Sequence, residues 1–270
     1  RNEKTIKNIK YENRKMEICT TYNKEYYDKC GKAMIETFAE FYPQDITLHV
    51  YYQEQEPEII KDNIVYHDLY TVQPQLKAWV DEAKKDPAKC GWRADRGKWV
   101  WKNDGVKFSH KAFAQSHRIK NSTADFILYS DADTLYIAPP DMDMWNECMP
   151  VESLCSFFYR THRWGDETGF YMHNPKHPKA LDWANRIEEV YLSGEVWTHE
   201  ENRAADQYTM PLARQSFLEC TQTDLGNKFG LQSEQDPVPL SPLKSLLKHN
   251  KGKKKNNTQD MMKELGLKNE

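Results

Sequence analysis

The chain has 270 residues, 39% of them hydrophobic, with a net charge of −3. That length suffices for one large globular domain, and the near-neutral balance supplies no overall basic field for nucleic acid. No stretch approaches the roughly 20 apolar residues that cross a bilayer, and the polar N-terminus lacks a signal-peptide core, so a cytoplasmic protein is expected.

In chain order, "KMEICTTYN" reads as a short strand ending at Thr20 to Asn23. "YYDKCGKAMIETFAEFY" carries Met34, Ile35, Phe38 and Phe41 at helical spacing, and Pro43 stops it. "DITLHVYYQ" and "NIVYHDLY" alternate as a second and a third strand. A helix is predicted over Gln75 to Lys85, before Pro87. "CGWRADRGKWVWKNDG" reads as a loop, with Trp92, Trp99 and Trp101 among charges and glycines. From Val106, residues Phe108, Ala112, Phe113, Ala114 and Ile119 mark one broad helix face. "ADFILYSDADT" is the continuous apolar strand expected in mid-sheet.

Further on, "SLCSFFYR" and "GFYMHN" read as strands and "KALDWANRIEEVYLSG" as a helix stopped by Gly194. "NRAADQYTMPLARQ" is predicted helical until Pro211. The tail from Ser233, with three prolines in "DPVPLSP", reads as extended and irregular. A lysine-rich stretch and a short amphipathic segment, "TQDMMKELGL", follow it. Alternating strand and helix in the first half predicts an α/β layer fold with a mixed sheet. Six cysteines form no CxxC pair, which argues against zinc and for reduced, buried thiols.

Asp131 and Asp133 stand at the carboxyl end of the apolar strand, where open α/β sheets bind ligands. Side chains at i and i+2 point the same way, and two like charges so close repel unless a cation lies between them. Their hard oxygens suit Mg²⁺ or Mn²⁺. The bland alternative is that one aspartate caps a turn and the other faces water. A second DxD, in "DMDMW" (Asp141 to Trp145), follows two prolines and reads as a helix start.

Strand, helix and then "FILYSDADTLY" resemble the nucleotide-sugar-dependent glycosyltransferases of the GT-A fold. The resemblance implies a Rossmann-like single domain with a central mixed, mostly parallel sheet flanked by helices. It implies a polar lead-in over 1–15, the transferase domain over 16–255 and an amphipathic tail over 256–270. "HNKGKKK" matches the H-x-x-G-x-x-K of the glycogenin-like and lipooligosaccharide galactosyltransferase-like retaining enzymes. There His249 is implied as third metal ligand beside Asp131 and Asp133, with Ala132 between them, while Gly252 and Lys255 lie against the diphosphate. Asp206-Gln207 is similar to that family's D-Q pair beside the reacting carbon, and Lys111 to a basic residue on the helix before DxD. The family's Pro-Trp after the last lysine is Asn256-Asn257 here, and its Asn after D-Q is missing.

Thr20, Thr21, Tyr22 and Asn23 end the first strand, where such enzymes cradle the nucleoside; a plain capped loop is the competing reading. Asp68, ending the third strand, is a weaker candidate for base or ribose. In "THRWGDETGFYMHN", Trp164 offers a ring platform, and Asp166 or Glu167 would be the general base of an inverting enzyme but only sugar contacts in a retaining one. Arg93, Arg96 and the nearby tryptophans make either an acceptor-side loop or a satellite cluster. His162, His173 and His177 read as ordinary polar residues. The implied activity is hexose transfer, with retention favoured, from UDP-glucose or UDP-galactose to a glycan or to a hydroxymethylated pyrimidine in DNA, as in phage-type base glucosylation. A nucleotidyltransferase and an inactive glycan- or nucleic-acid-binding module remain alternatives.

Overall fold

A computed structural model describes residues 14–54, 57–161, 165–198, 204–252, 262–263 and 265–267. Strand β1 (Met16–Tyr22) leads into α1 (Lys24–Tyr26), a π-helical turn, and α2 (Lys32–Phe41). Then follow β2 (Thr47–Tyr52), β3 (Ile64–Asp68), α3 (Leu69–Val72), α4 (Pro74–Ala83), β4 (Cys90–Arg93), β5 (Lys98–Asp104) and α5 (Gly105–Asn121). The second half runs β6 (Phe126–Ser130), β7 (Thr134–Tyr136), α6 (Met142–Cys148), β8 (Cys155–Arg160), β9 (Gly165–His173) and α7 (Ala180–Leu192). It closes with α8 (Asp206–Gln215), β10 (Thr223–Asp224), α9 (Leu225–Lys228) and β11 (Leu247–His249).

Seven strands form one sheet in the order β10-β8-β9-β6-β1-β2-β3. All neighbours pair in parallel except those of β9, which runs against both β6 and β8. This is the expected mixed, mostly parallel sheet. Period-2 alternation divides its side chains between two cores. Ile18, Leu48, Val50, Leu128 and Met172 pack with Met34, Ile35 and Phe38 of α2 and Trp145 of α6. Cys19, Tyr51, Ile127, Tyr129 and Tyr171 pack with α4, α5, α7 and α8 through Leu76, Phe113, Trp183 and Met210. Every residue of β6 is buried, because a mid-sheet parallel strand has helices on both faces.

The topology fixes where ligands go. From β1 the chain winds outward through β2 and β3, then crosses back to β6 on the other side of β1. The crevice at such a switch point, outside the carboxyl ends of the strands, is the binding edge of doubly wound sheets. Reversed β9 brings its first residues to that same edge, since Phe170 pairs with Ser130, the last residue of β6.

Three expectations need correction. The Trp-rich "loop" is a hairpin, β4 paired with β5, closed by a 3-10 turn whose Gly97 has φ 59°; interleaved charges hid its alternation. Helix α8 does not end at Pro211 but runs to Gln215. The tail from Ser233 holds two 3-10 turns and β11, which pairs with β7. The second DxD is the expected helix start: Asp141 caps α6 by accepting the Met144 N–H at 3.1 Å. All six cysteines are free, but Cys90 and Cys220 are only partly buried. Among the described residues no helix is long and apolar enough to cross a membrane.

Leu128 sits at mid-sheet with no exposure. Leu128→Ala is expected to remove about 2–5 kcal/mol of stability; an unchanged urea midpoint would contradict the assignment of β6 as the sheet's centre.

Candidate metal centre

The chain turns sharply after β6. The Thr134 N–H bonds the Asp131 carbonyl at 3.0 Å, and the Asp131 N–H bonds the Gly169 carbonyl of β9 at 3.0 Å. The short strand β7 that follows takes β11 as its antiparallel partner, with His249 opposite Thr134. The Asn250 N–H then reaches the Asp133 carbonyl at 2.9 Å. This register carries an imidazole 116 residues along the chain to the strand-end aspartates: one donor atom each from Asp131, Asp133 and His249 lies within 4.8 Å of the other two.

Two features prepare the imidazole to ligate. Its Nδ1 is hydrogen-bonded to Asp236 Oδ1 at 3.3 Å, which orients the ring so that Nε2 is turned toward the aspartates. Nε2 is buried without a hydrogen-bond partner and stands 3.3 Å from Asp133 Oδ1. Gly169 makes the approach possible, for a Cβ there would sit 2.8 Å from His249 Cε1 and 3.0 Å from Nε2. Burial works against a charged imidazole, but Asp133 and Asp236, with Glu167 behind them, outweigh it and push His249 up to about 10.

Lys111 of α5 links the aspartates to α8. Its Nζ lies 2.6 Å from Asp131 Oδ1 and 2.7 Å from Asp206 Oδ2, and Tyr129 donates to Asp131 at 3.0 Å. Burial disfavours the ammonium, yet Asp131 and Asp206 hold its pKa well above the ordinary lysine value. Among the described residues, five carboxylates (Asp131, Asp133, Glu167, Asp206 and Asp236) thus meet three permanent cations, Lys111, Arg160 and Lys251. Crowded carboxylates of this kind favour a bound cation, and the oxygen-plus-imidazole donor set suits manganese or magnesium.

The backbone of α8 at Gln207 packs tightly against β9. Pro211 has no N–H to bond the Gln207 carbonyl, and that oxygen packs instead against Gly165. A Cβ on Gly165 would meet it at 2.0 Å, and the φ of 71° there is itself a glycine conformation. The Gln207 Nε2 amide is buried without a partner.

Asp166 and Glu167 diverge, as successive strand residues must. Fully buried Asp166 is gripped by Arg214 at 3.1 and 3.3 Å and by the Tyr171 hydroxyl at 3.2 Å. Its burial outweighs Arg214 and raises its pKa to about 6. Glu167 accepts from Arg160 at 2.8 Å and pairs with Lys251. Neither stands unneutralised.

The first-strand candidates are built into the fold. Tyr22 is enclosed by Tyr27, 5.4 Å away between ring centroids, and by Gly31, so its face is not open for stacking. Asn23 caps α1 by accepting the Tyr26 N–H, and Asp68 caps α3 through the Tyr70 and Thr71 N–H groups. Thr21 donates to the Tyr51 carbonyl at 2.7 Å, while the buried Thr20 hydroxyl has no partner. Ala132 is buried among core residues. Gly252 has φ 62° and open space around it. Arg93 lies on the β4–β5 hairpin, held by Asp95 at 2.8 and 3.0 Å. Trp164 and Lys255 lie outside the described residues.

Sequence reasoning missed Arg160, Asp236, Gly169 and Asn250. Arg160 ties Glu167 to the Gly165, Asp166 and Gln235 carbonyls. Both side-chain amide atoms of Asn250 are buried without partners, next to His249. Asp236 opens the proline cluster, which gave no sign that it faced the imidazole.

Among solved structures, the chain is similar to apo WbbM, a bifunctional glycosyltransferase. The identity is 10% over 94% of this chain and 50% of that one, with a TM-score of 0.52; the chain spans half the length of that protein. It is also similar to mouse xyloside xylosyltransferase 1 in its apo form, at 13% identity over 78% of this chain and 84% of that one, TM-score 0.49. GlyE of Streptococcus pneumoniae TIGR4 aligns at 13% identity over 95% and 61% of the two chains, TM-score 0.49. No family model and no curated protein matches the sequence. The likeness is one of fold, and the fold is that of the GT-A glycosyltransferases.

Asp236→Asn is expected to weaken Mn²⁺ binding about 10- to 100-fold in calorimetry, as the loss of a partner orienting a ligand does. Gly169→Ala is expected to weaken it at least as much by displacing the imidazole; native affinity in both variants would remove His249 from the centre.

Proposed function

We propose that the chain is a metal-dependent glycosyltransferase. In this reading it moves a hexose from UDP-glucose or UDP-galactose to an acceptor hydroxyl with retention of configuration. The observation that carries it is the meeting of Asp131, Asp133 and His249 at the carboxyl edge of the sheet, within one lysine of Asp206. When bound, a divalent ion neutralises the diphosphate and the charge that grows on it as the glycosidic bond breaks.

The chain's own residues take the remaining roles. Lys111 holds Asp131 and Asp206 at a fixed separation, so the ligand carboxylate and the sugar-side carboxylate are positioned by one group. The partnerless Gln207 amide is a ready donor for a sugar oxygen, since a buried N–H left unpaired costs about 1–3 kcal/mol. Gly252, in the left-handed region with space around it, allows close approach of a phosphate. Lys255, three residues on, adds positive charge where charge develops in the transition state. The unpartnered Thr20 hydroxyl, buried two residues before the end of β1, is the first-strand group left to serve the nucleoside.

Retention is favoured over inversion by the state of the carboxylates. A general base must be free to take a proton, whereas Asp166 and Glu167 are each held by an arginine. The acceptor hydroxyl belongs to a glycan or to a hydroxymethylated pyrimidine in DNA. Free cysteines throughout agree with a cytosolic setting.

Differential scanning fluorimetry with UDP, GDP and CDP, with and without Mn²⁺, tests the reading. A stabilising shift with one diphosphate that requires the ion is expected; no shift with any diphosphate would favour a binding module. Asp133→Asn is expected to abolish that shift without lowering the metal-free melting temperature. His249→Ala is expected to cut label transfer from the donor at least tenfold, and full activity would make the late histidine incidental.

A further inference from the structure

Beside the centre, β4 and β5 present three tryptophans that the transfer chemistry does not use. Trp92, Trp99 and Trp101 are 45%, 49% and 42% exposed. Indole surface is among the most favourable to remove from water, so three half-exposed rings on one hairpin invite an occupant. Trp92 and Trp99 stand opposite each other across the hairpin and therefore share a face.

Trp99 is fixed in place. Its Nε1 donates to the Cys90 carbonyl at 2.8 Å, with Asp104 Oδ2 at 3.3 Å. A Cβ on Gly91 would come within 2.7 Å of that nitrogen. The indole therefore lies over Gly91 with its one polar atom engaged, so the part of the ring it offers solvent is carbon. The base of the hairpin is anchored beside the centre. The Lys102 carbonyl accepts the Ala204 and Ala205 N–H groups at 2.7 and 3.0 Å, immediately before Asp206. Trp101 packs 6.0 Å from Phe108, between ring centroids, and Lys111 Nζ lies 5.9 Å from the Phe108 ring. One phenylalanine separates the hairpin from the lysine of the centre.

We infer that this hairpin is the acceptor platform, and that the acceptor is a saccharide chain whose pyranose rings stack on Trp92 and Trp99. The inference rests on the transferase reading and specifies its acceptor. A pyranose presents a face of weakly polar C–H bonds, which suits the electron-rich face of an indole. A nucleic-acid strand would need cations along the same face to follow its phosphates. Here Arg93 and Lys98 stand opposite each other on the reverse face, and Asp95 already holds Arg93. Lys102 Nζ stands 5.6 Å from the Trp101 ring, so the stacking is assigned to the Trp92–Trp99 pair.

The test is a glycan array probed with the labelled wild-type chain and with Trp92→Ala, Trp99→Ala and Trp99→Phe, alongside a dT20 oligonucleotide. The wild type is expected to bind at least one saccharide, each alanine variant about tenfold more weakly, and Trp99→Phe to retain most of the binding. The Mn²⁺-dependent shift with UDP is expected to be unchanged in all three variants. No glycan binding by the wild type, equal binding by both alanine variants, or tryptophan-dependent binding of dT20 in place of glycans overturns the inference. Loss of the UDP shift in the wild type itself would fall on the transferase reading and leave the array result legible.

Discussion

Five carboxylates gathered at one end of a buried strand are the constraint to which the rest of the edge responds. Like charges at such separations cannot all stay ionised in a low-dielectric cleft without compensation. Lys111, Arg160 and Lys251 supply part of it, and a protonated His249 supplies more. Those cations sit on four different elements or loops, so the charge balance also pins α5, β8, β9 and the C-terminal strand to one another. A divalent ion held there would take over the imidazole's share.

Two features of the topology deliver that cluster. A wholly parallel sheet would put only strand ends at the crevice, but the reversal of β9 brings the beginning of a strand there as well. Gly169, Glu167 and Asp166 therefore face ends of the chain from which they are distant in sequence. The pairing of β11 with β7 does the same for His249. Each close approach depends on a missing Cβ: Gly169 admits the imidazole and Gly165 admits the backbone of α8. Pro211 complements the second by leaving the Gln207 carbonyl without a helical donor.

Much of this was legible in the residues. The buried run before Asp131 identified the central strand, because only a strand covered on both faces is apolar throughout. The family resemblance carried by H-x-x-G-x-x-K implied His249 beside the aspartates, although nothing local predicted β11. Strands too short to show alternation, such as β7 and β11, left no periodic trace. The hairpin was read as a loop because its exposed positions carry tryptophans and its reverse carries charges, the inverse of the usual pattern. Tyr22, Asn23 and Asp68 stand at the carboxyl ends of β1 and β3, but their partners are structural: an enclosed ring and two helix caps. Burial and capping depend on tertiary neighbours that spacing does not encode. Asp236 and Arg160 were invisible for the same reason.

The account turns on one ion held by Asp131, Asp133 and His249. Crystals soaked with Mn²⁺ and UDP, measured for anomalous scattering at the manganese edge, test it most directly. The account predicts one strong peak within coordination distance of an oxygen of each aspartate and of His249 Nε2. A peak elsewhere, or an imidazole still turned to Asp133 with no ion beside it, would contradict it.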